Sequence, residues 1–158
     1  MRFVRMLRPV QWAKNAFVFA PLVFSRHLFD PMYGERAVLA FAVFSLLSSV
    51  VYIINDIADR SSDRLHPLKR ARPIASGAVP VGQALAVAGL LGIGSACGTL
   101  WLGPKVAFIA AVYFSLNLGY SFGLKQVILV DVFLVASGFM LRVLAGAFAI
   151  GVQVSPWL

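Results

Sequence analysis

Polar and apolar positions along this chain fall into long blocks. Ala37–Asn55 carries no charge over 19 residues, Pro73–Pro104 none over 32, and Val106–Leu124 none over 19. About 20 apolar residues cross the hydrocarbon core of a bilayer, so these blocks predict membrane helices. Five hydrophobic segments follow, near residues 14–29, 37–55, 83–103, 105–122 and 127–150. The first and last are the least regular, because Lys14, Arg26, Asp131 and Arg142 interrupt or flank them. Pro67, Pro73, Gly77 and Pro80 mark 67–80 as a loop. The third segment contains GLLGIGSACG, and small residues at helical spacing let backbones approach closely in lipid. The fold class is therefore all-α integral membrane, with about five transmembrane helices here.

Composition agrees. Of 158 residues, 60% are apolar and 13% charged, against about half and a quarter in soluble domains. Residues 1–15 carry Arg2, Arg5, Arg8 and Lys14 among apolar positions. No short apolar core with a small-residue cleavage site follows, so this stretch reads as a basic amphipathic lead-in on the membrane surface. The net charge of +8, in so apolar a chain, fits anionic headgroups or phosphate substrates and not nucleic acid. With the N-terminus inside, ten Lys and Arg fall on the inner segments and three on the outer ones. That bias predicts a multi-pass protein of the cell membrane with its N-terminus cytoplasmic.

The charge is concentrated in NDIADRSSDRLHPLKRARPIASG, residues 55–77, with three of the six acids and five of the fourteen bases. On a continuous helix Asp56, Asp59 and Asp63 fall within about 60° of one another, with Asn55 at the edge of that face. Like charges so placed repel, and at a membrane boundary they are costly unless neutralised. They are solvated, or paired with Arg60 and Arg64, or they hold a divalent cation. Mg²⁺ suits the oxygen donors, since it takes one or two carboxylates and completes its shell with water and substrate phosphate. His66, Lys69, Arg70 and Arg72 follow on the loop. Alone they would be a positive-inside loop; beside the acids they read as the phosphate side of a metal–diphosphate cradle. Asp131 and Arg142 share a helix face but stand about 16 Å apart, too far to pair. Both are intramembrane charges and hence site candidates, although Arg142 could equally be a structural partner for another helix. Tyr120 is an interfacial aromatic or a site residue.

Asn55-Asp56-x-x-Asp59-x-x-x-Asp63 resembles the first aspartate-rich motif of the UbiA-type membrane prenyltransferase superfamily. Arg64-Leu-His66-Pro67-x-Lys69-Arg70-x-Arg72-Pro73, Arg8-Pro-x-Gln-Trp12-x-Lys14-Asn15, and Tyr120-Ser-x-x-Leu-Lys125 followed by Asp131 extend the likeness over essentially the whole chain. Together they resemble the branch that includes decaprenyl-phosphate phosphoribosyltransferase. The resemblance implies about nine membrane helices, of which residues 1–158 would be the N-terminal part of a single domain. A second aspartate-rich motif would lie beyond Leu158, so the chain reads as a half that is inactive alone. The implied chemistry is Mg²⁺-dependent transfer of 5-phosphoribosyl from phosphoribosyl diphosphate to decaprenyl phosphate, which serves the arabinose donor pathway of actinobacterial cell walls. By the same resemblance Asn55, Asp56, Asp59 and Asp63 would be the metal motif, with Asp131 opposite it. Likewise Lys69, Arg70 and Arg72 would meet phosphates, and Lys14, Tyr120 and Lys125 would line the cavity mouth; His66, beside them on the loop, and the intramembrane Arg142 join the phosphate-binding candidates on their own chemistry. The alternatives are prenyl transfer from a polyprenyl diphosphate to an aromatic or other acceptor, and a non-catalytic membrane protein or remnant. A transporter would show helices broken at mid-membrane, whereas these polar groups gather near one surface.

Overall fold

A computed structural model of the protein describes residues 2–122 and 128–153, with side chains for all of these except 122 and 128–131. Helix α1 (Arg2–Leu7) leads into a 3-10 segment (Pro9–Phe19) and the short α2 (Ala20–Phe24). Then come α3 (Pro31–Ala58), α4 (Arg60–Leu65), a 3-10 turn (Lys69–Ala71), α5 (Val81–Leu102), α6 (Pro104–Phe122) and α7 (Ile128–Ile150). No strand occurs among the described residues.

Local chemistry sets the helix boundaries. Asp30 caps α3 by accepting the Met32 N–H at 3.0 Å, and Pro31 fills the first turn, where no N–H is required. Gly103 ends α5 at φ 131°, a conformation open to glycine, and Pro104 opens α6.

The spine is α3, against which the 3-10 segment, α5, α6 and α7 all pack. Its 28 residues make it about 42 Å long, more than the ~30 Å hydrocarbon core. The charge-free run 37–55 fills that core, so the last turn, with Asp56, reaches the membrane boundary. Among the described residues three helical stretches are long and apolar enough to cross a membrane: α3, α5 and Val132–Ile150 of α7. Close approach of α5 to α3 depends on Gly98, where a Cβ would lie within 2.4 Å of Val43 Cγ2.

The first hydrophobic segment departs from expectation. In place of a helix over 14–29 the chain winds as 3-10 through residue 19, then as five residues of α-helix. Runs of 3-10 beyond three or four residues are uncommon and need outside support. Side chains three apart eclipse in a 3-10 helix, so Trp12, Asn15 and Val18 form one ridge. Trp12 Nε1 donates to Ser49 Oγ at 3.0 Å. Asn15 Nδ2 donates to Ser45 Oγ at 3.1 Å and Ser48 Oγ at 3.0 Å. Val18 is buried, and its carbonyl lies so close to Gly146 that a Cβ there would come within 2.0 Å of the oxygen. An α-helix would fan these three side chains through about 120° and lose the match.

Arg142 locks the ridge from the other side. Its Nε donates to Asn15 Oδ1 at 2.7 Å, Nη1 to the Gly138 carbonyl at 2.7 Å, and Nη2 to Tyr113 Oη at 2.9 Å. It thus joins α7, α6 and the 3-10 segment, partners all within this chain. At the opposite end Arg36 donates to the Leu102 carbonyl at 2.9 Å and to the Ala149 carbonyl. These carbonyls belong to the C-terminal ends of α5 and α7, where a cation is favoured.

Gly146→Ala is expected to destabilise the protein by about 1–3 kcal/mol, because the new methyl group must displace a backbone carbonyl. Gly34→Ala, with nothing within 4 Å of its Cβ, serves as the control and should leave the thermal midpoint in detergent unchanged or slightly raised. Arg142→Lys cannot reproduce the three-way fork and should lower stability by about 1.5–3 kcal/mol in the same measurement.

Candidate functional site

The acidic motif survives a break in its helix. Formally α3 stops at Ala58, but Asp59 N–H still donates to the Asn55 carbonyl at 2.9 Å and Asp63 N–H to the Asp59 carbonyl at 2.8 Å. The helical register therefore runs on into α4 and keeps Asp56 and Asp63 on one side. Both are 2% exposed.

Two arginines from elsewhere neutralise them. Arg72 Nη1 donates to Asp56 Oδ1 at 3.1 Å and to Asp63 Oδ2 at 2.7 Å, so one nitrogen bridges both carboxylates. Arg8 Nη2 donates to the same Asp56 Oδ1. Of the alternatives for neutralising the acids, pairing of Asp56 or Asp63 with Arg60 or Arg64 is not found among the described residues; Arg64 Nε donates to the Ala75 carbonyl at 2.9 Å. The loop that carries Arg72 is anchored by Ile74 and Val79, buried with Met6 and Ile53, which aims Arg72 back at α3. Arg8 adopts φ 53° and ψ 58°, the only positive φ among described non-glycine residues, at the joint between α1 and the 3-10 segment. Its guanidinium sits 5.0 Å from the Tyr52 ring centroid.

One helical turn from the acids opens a cavity of about 160 Å³, lined by Lys14, Tyr52, Tyr113, Asn117, Tyr120 and Arg142 among others. Tyr52, one helical turn before Asp56, belongs to its wall, so cavity and acid pair adjoin. Tyr113, Asn117 and Tyr120 come from one face of α6, spaced i, i+4, i+7. Arg142 is 6% exposed, and its three hydrogen-bond acceptors are neutral oxygens, which leave its charge uncompensated by them. An anion entering the cavity would meet that charge at low dielectric.

The structure thus brings together Asp56, Asp63 and Arg72, and separately Lys14, Tyr120 and Arg142. Asp59 is half-buried at the α3–α4 joint, and Asn55 Oδ1 accepts from Ser121 Oγ at 3.1 Å. Lys69 and Arg70 stay exposed on the loop rather than against the acids. His66 is exposed as well, and its Nδ1 accepts the Leu68 N–H at 3.2 Å, which shapes the turn. Lys125 and the side chain of Asp131 lie outside the described residues. Sequence reasoning did not single out Tyr52, Tyr113 or Asn117, and it gave Arg8 no partner. The i, i+4, i+7 spacing on α6 was visible; the partner of Arg8 was not, being 48 residues away.

Among the described residues no three His, Cys, Asp or Glu side chains gather for a metal ion. The buried pair Asp56 and Asp63 fits Mg²⁺ nonetheless, because one or two carboxylates are its usual protein share. A cationic nitrogen already occupies the bridging position between them.

Residues 16–158 match the UbiA prenyltransferase family. The chain is 41% identical to the decaprenyl-phosphate phosphoribosyltransferase of Mycolicibacterium smegmatis, over 98% of this chain and 50% of that protein. It is 42% identical to the Corynebacterium glutamicum protein of the same name, over 98% of this chain and 48% of that one. Its fold is similar to that of a UbiA homolog from Archaeoglobus fulgidus bound to DMAPP and Mg²⁺, with TM-score 0.79 and 22% identity over 99% of this chain and 57% of the other. The chain spans about half the length of the curated relatives it matches. With its apolar helices, its aspartate motif and these likenesses, the chain belongs to the UbiA prenyltransferase family and is an integral membrane protein.

Proposed function

We propose that this chain supplies the donor half of a membrane transferase that moves 5-phosphoribosyl from phosphoribosyl diphosphate onto decaprenyl phosphate or a similar polyprenyl phosphate. The observation that carries this reading is the buried Asp56–Asp63 pair next to a cavity whose charged lining is Lys14 and Arg142. Hard oxygen donors beside an anion-attracting pocket suit a metal–diphosphate group. The relatives about 41% identical are named for phosphoribosyl transfer; prenyl transfer to another acceptor has only the shared fold behind it.

Asp56 and Asp63 would hold Mg²⁺, with Asp59 and Asn55 next to them on the same helical run and Asp131 as the candidate from α7. When bound, the ion supplies charge neutralisation for a departing diphosphate. Arg72, with Lys69, Arg70 and His66 on the same loop and Lys125 after α6, would meet the phosphate oxygens the metal leaves uncovered. Lys14, Tyr120 and Arg142 would orient the anionic end of a substrate in the cavity. During transfer the bond from the anomeric carbon to diphosphate breaks, and a bond from that carbon to a lipid phosphate oxygen forms. The acceptor oxygen is already anionic, so no protein base is needed, and positioning with charge stabilisation supplies the rate. The lipid tail would lie between helices. The excess of inner Lys and Arg supports a cytoplasmic site in the plasma membrane.

The test joins this chain to the C-terminal half of the Mycolicibacterium smegmatis relative. Membranes containing the chimera should transfer the phosphoribosyl group of ribose-labelled phosphoribosyl diphosphate into the lipid fraction with release of diphosphate, stop on chelation, and resume with Mg²⁺. Asp56→Asn, Asp59→Ala and Asp63→Asn should each lower the rate by ~100-fold or more. Undiminished transfer by the Asp56 and Asp63 variants removes the site, and labelling only from a prenyl diphosphate supports the other donor.

A further inference from the structure

We propose that Arg8 and Arg72 form a built-in counter-cation that competes with divalent metal for Asp56 and Asp63. Metal then enters only together with a diphosphate anion, to which the displaced guanidinium groups transfer. This deepens the metal–diphosphate reading above and rests on it.

Charge counting is the first support. Asp56 and Asp63 carry two negative charges, and the two arginines that hold them carry two positive ones. The cluster is neutral as it stands, with carboxylate side chains only 3% exposed. A divalent cation arriving alone would leave two uncompensated positive charges in a nearly dry place at the membrane boundary, which is unfavourable. Diphosphate, with two or more negative charges, removes that excess. Each ligand therefore makes the other's entry less costly, and such coupling is reciprocal.

Geometry is the second. Arg72 Nη1 is within hydrogen-bond distance of both carboxylates, at 3.1 and 2.7 Å, the bridging place a shared cation would need. Arg8 converges on the same Asp56 oxygen. Both arginine side chains keep an outlet, being 25% and 26% exposed. The Arg8 guanidinium lies over Tyr52, which is part of the cavity wall, so a turn about its side chain carries the charge toward that cavity.

The third is the backbone at Arg8. A left-handed conformation at a non-glycine residue is strained and persists where surrounding contacts enforce it. The flanking contacts do so: the Leu7 carbonyl accepts from Ser49 Oγ at 3.0 Å, and Trp12 is fixed to the same serine. The chain thus holds Arg8 over the acids at a local cost.

The experiment measures Mn²⁺ and labelled inorganic diphosphate retained with the 158-residue chain in detergent by ultrafiltration, each titrated with and without the other. For the unsubstituted chain, diphosphate should lower the half-saturating Mn²⁺ concentration roughly tenfold, within the usual range for coupled sites. Arg8→Gln should bind Mn²⁺ alone roughly tenfold more tightly and lose most of the diphosphate effect, whereas Arg8→Lys, which keeps the charge, should behave like the parent. Arg72→Gln provides a second reading if Arg8→Gln misfolds, and Asp56→Asn should abolish retention. Equal Mn²⁺ affinity with and without diphosphate, or no gain in either glutamine variant, overturns the proposal while the metal site stands. No retained Mn²⁺ in the parent under either condition overturns the metal site and this inference together.

Discussion

Two carboxylates buried at the C-terminal end of a membrane helix must be neutralised, and much of this structure is arranged around how that is done. Asp56 and Asp63 are held by Arg8 from the N-terminal surface segment and by Arg72 from the loop after α4. Each arginine fastens an otherwise local element to α3. Removing one partner of such a buried pair usually costs more than the pair itself contributes, because a lone charge is left behind. The cluster therefore pins the loop and the N-terminal segment to α3, with two carboxylates met by two guanidinium groups.

The rest of the bundle positions the cavity next to that cluster. The length of α3 carries Asp56 to the boundary while Tyr52 remains one turn deeper, in the cavity wall. The 3-10 winding of Pro9–Phe19 directs Trp12, Asn15 and Val18 at α3 and α7, and the same winding leaves Lys14 on the cavity side. Arg142 then closes the network through Asn15 and Tyr113. It orients these groups with three of its N–H directions.

Much of this was legible in the residues. Charge-free blocks marked the helices, and the spacing of Asp56 and Asp63 marked a shared face that survives the break at Asp59, because the i to i−4 hydrogen bonds continue across it. The partners were less legible. Helical spacing favours Arg60 as a neighbour of Asp56, but the arginines that arrive come from 48 and 16 residues away, brought by packing that no local pattern encodes. Likewise Arg142 lines up with Asp131 on a helical wheel, yet its acceptor Asn15 is 127 residues distant. The first segment looked like a fifth helix because an apolar run has the same composition in either winding. Only the serines facing Trp12 and Asn15 reveal why the tighter one is kept.

The most direct test is to see the cluster loaded. A structure of the chain with Mn²⁺ and methylene diphosphonate, with the metal located by anomalous scattering, would show both ligands and both arginines at once. A metal peak is expected about 2.1 Å from oxygens of Asp56 and Asp63, with Arg8 and Arg72 moved from those carboxylates onto phosphonate oxygens. A metal peak elsewhere, with both arginines still on Asp56, would contradict this expectation.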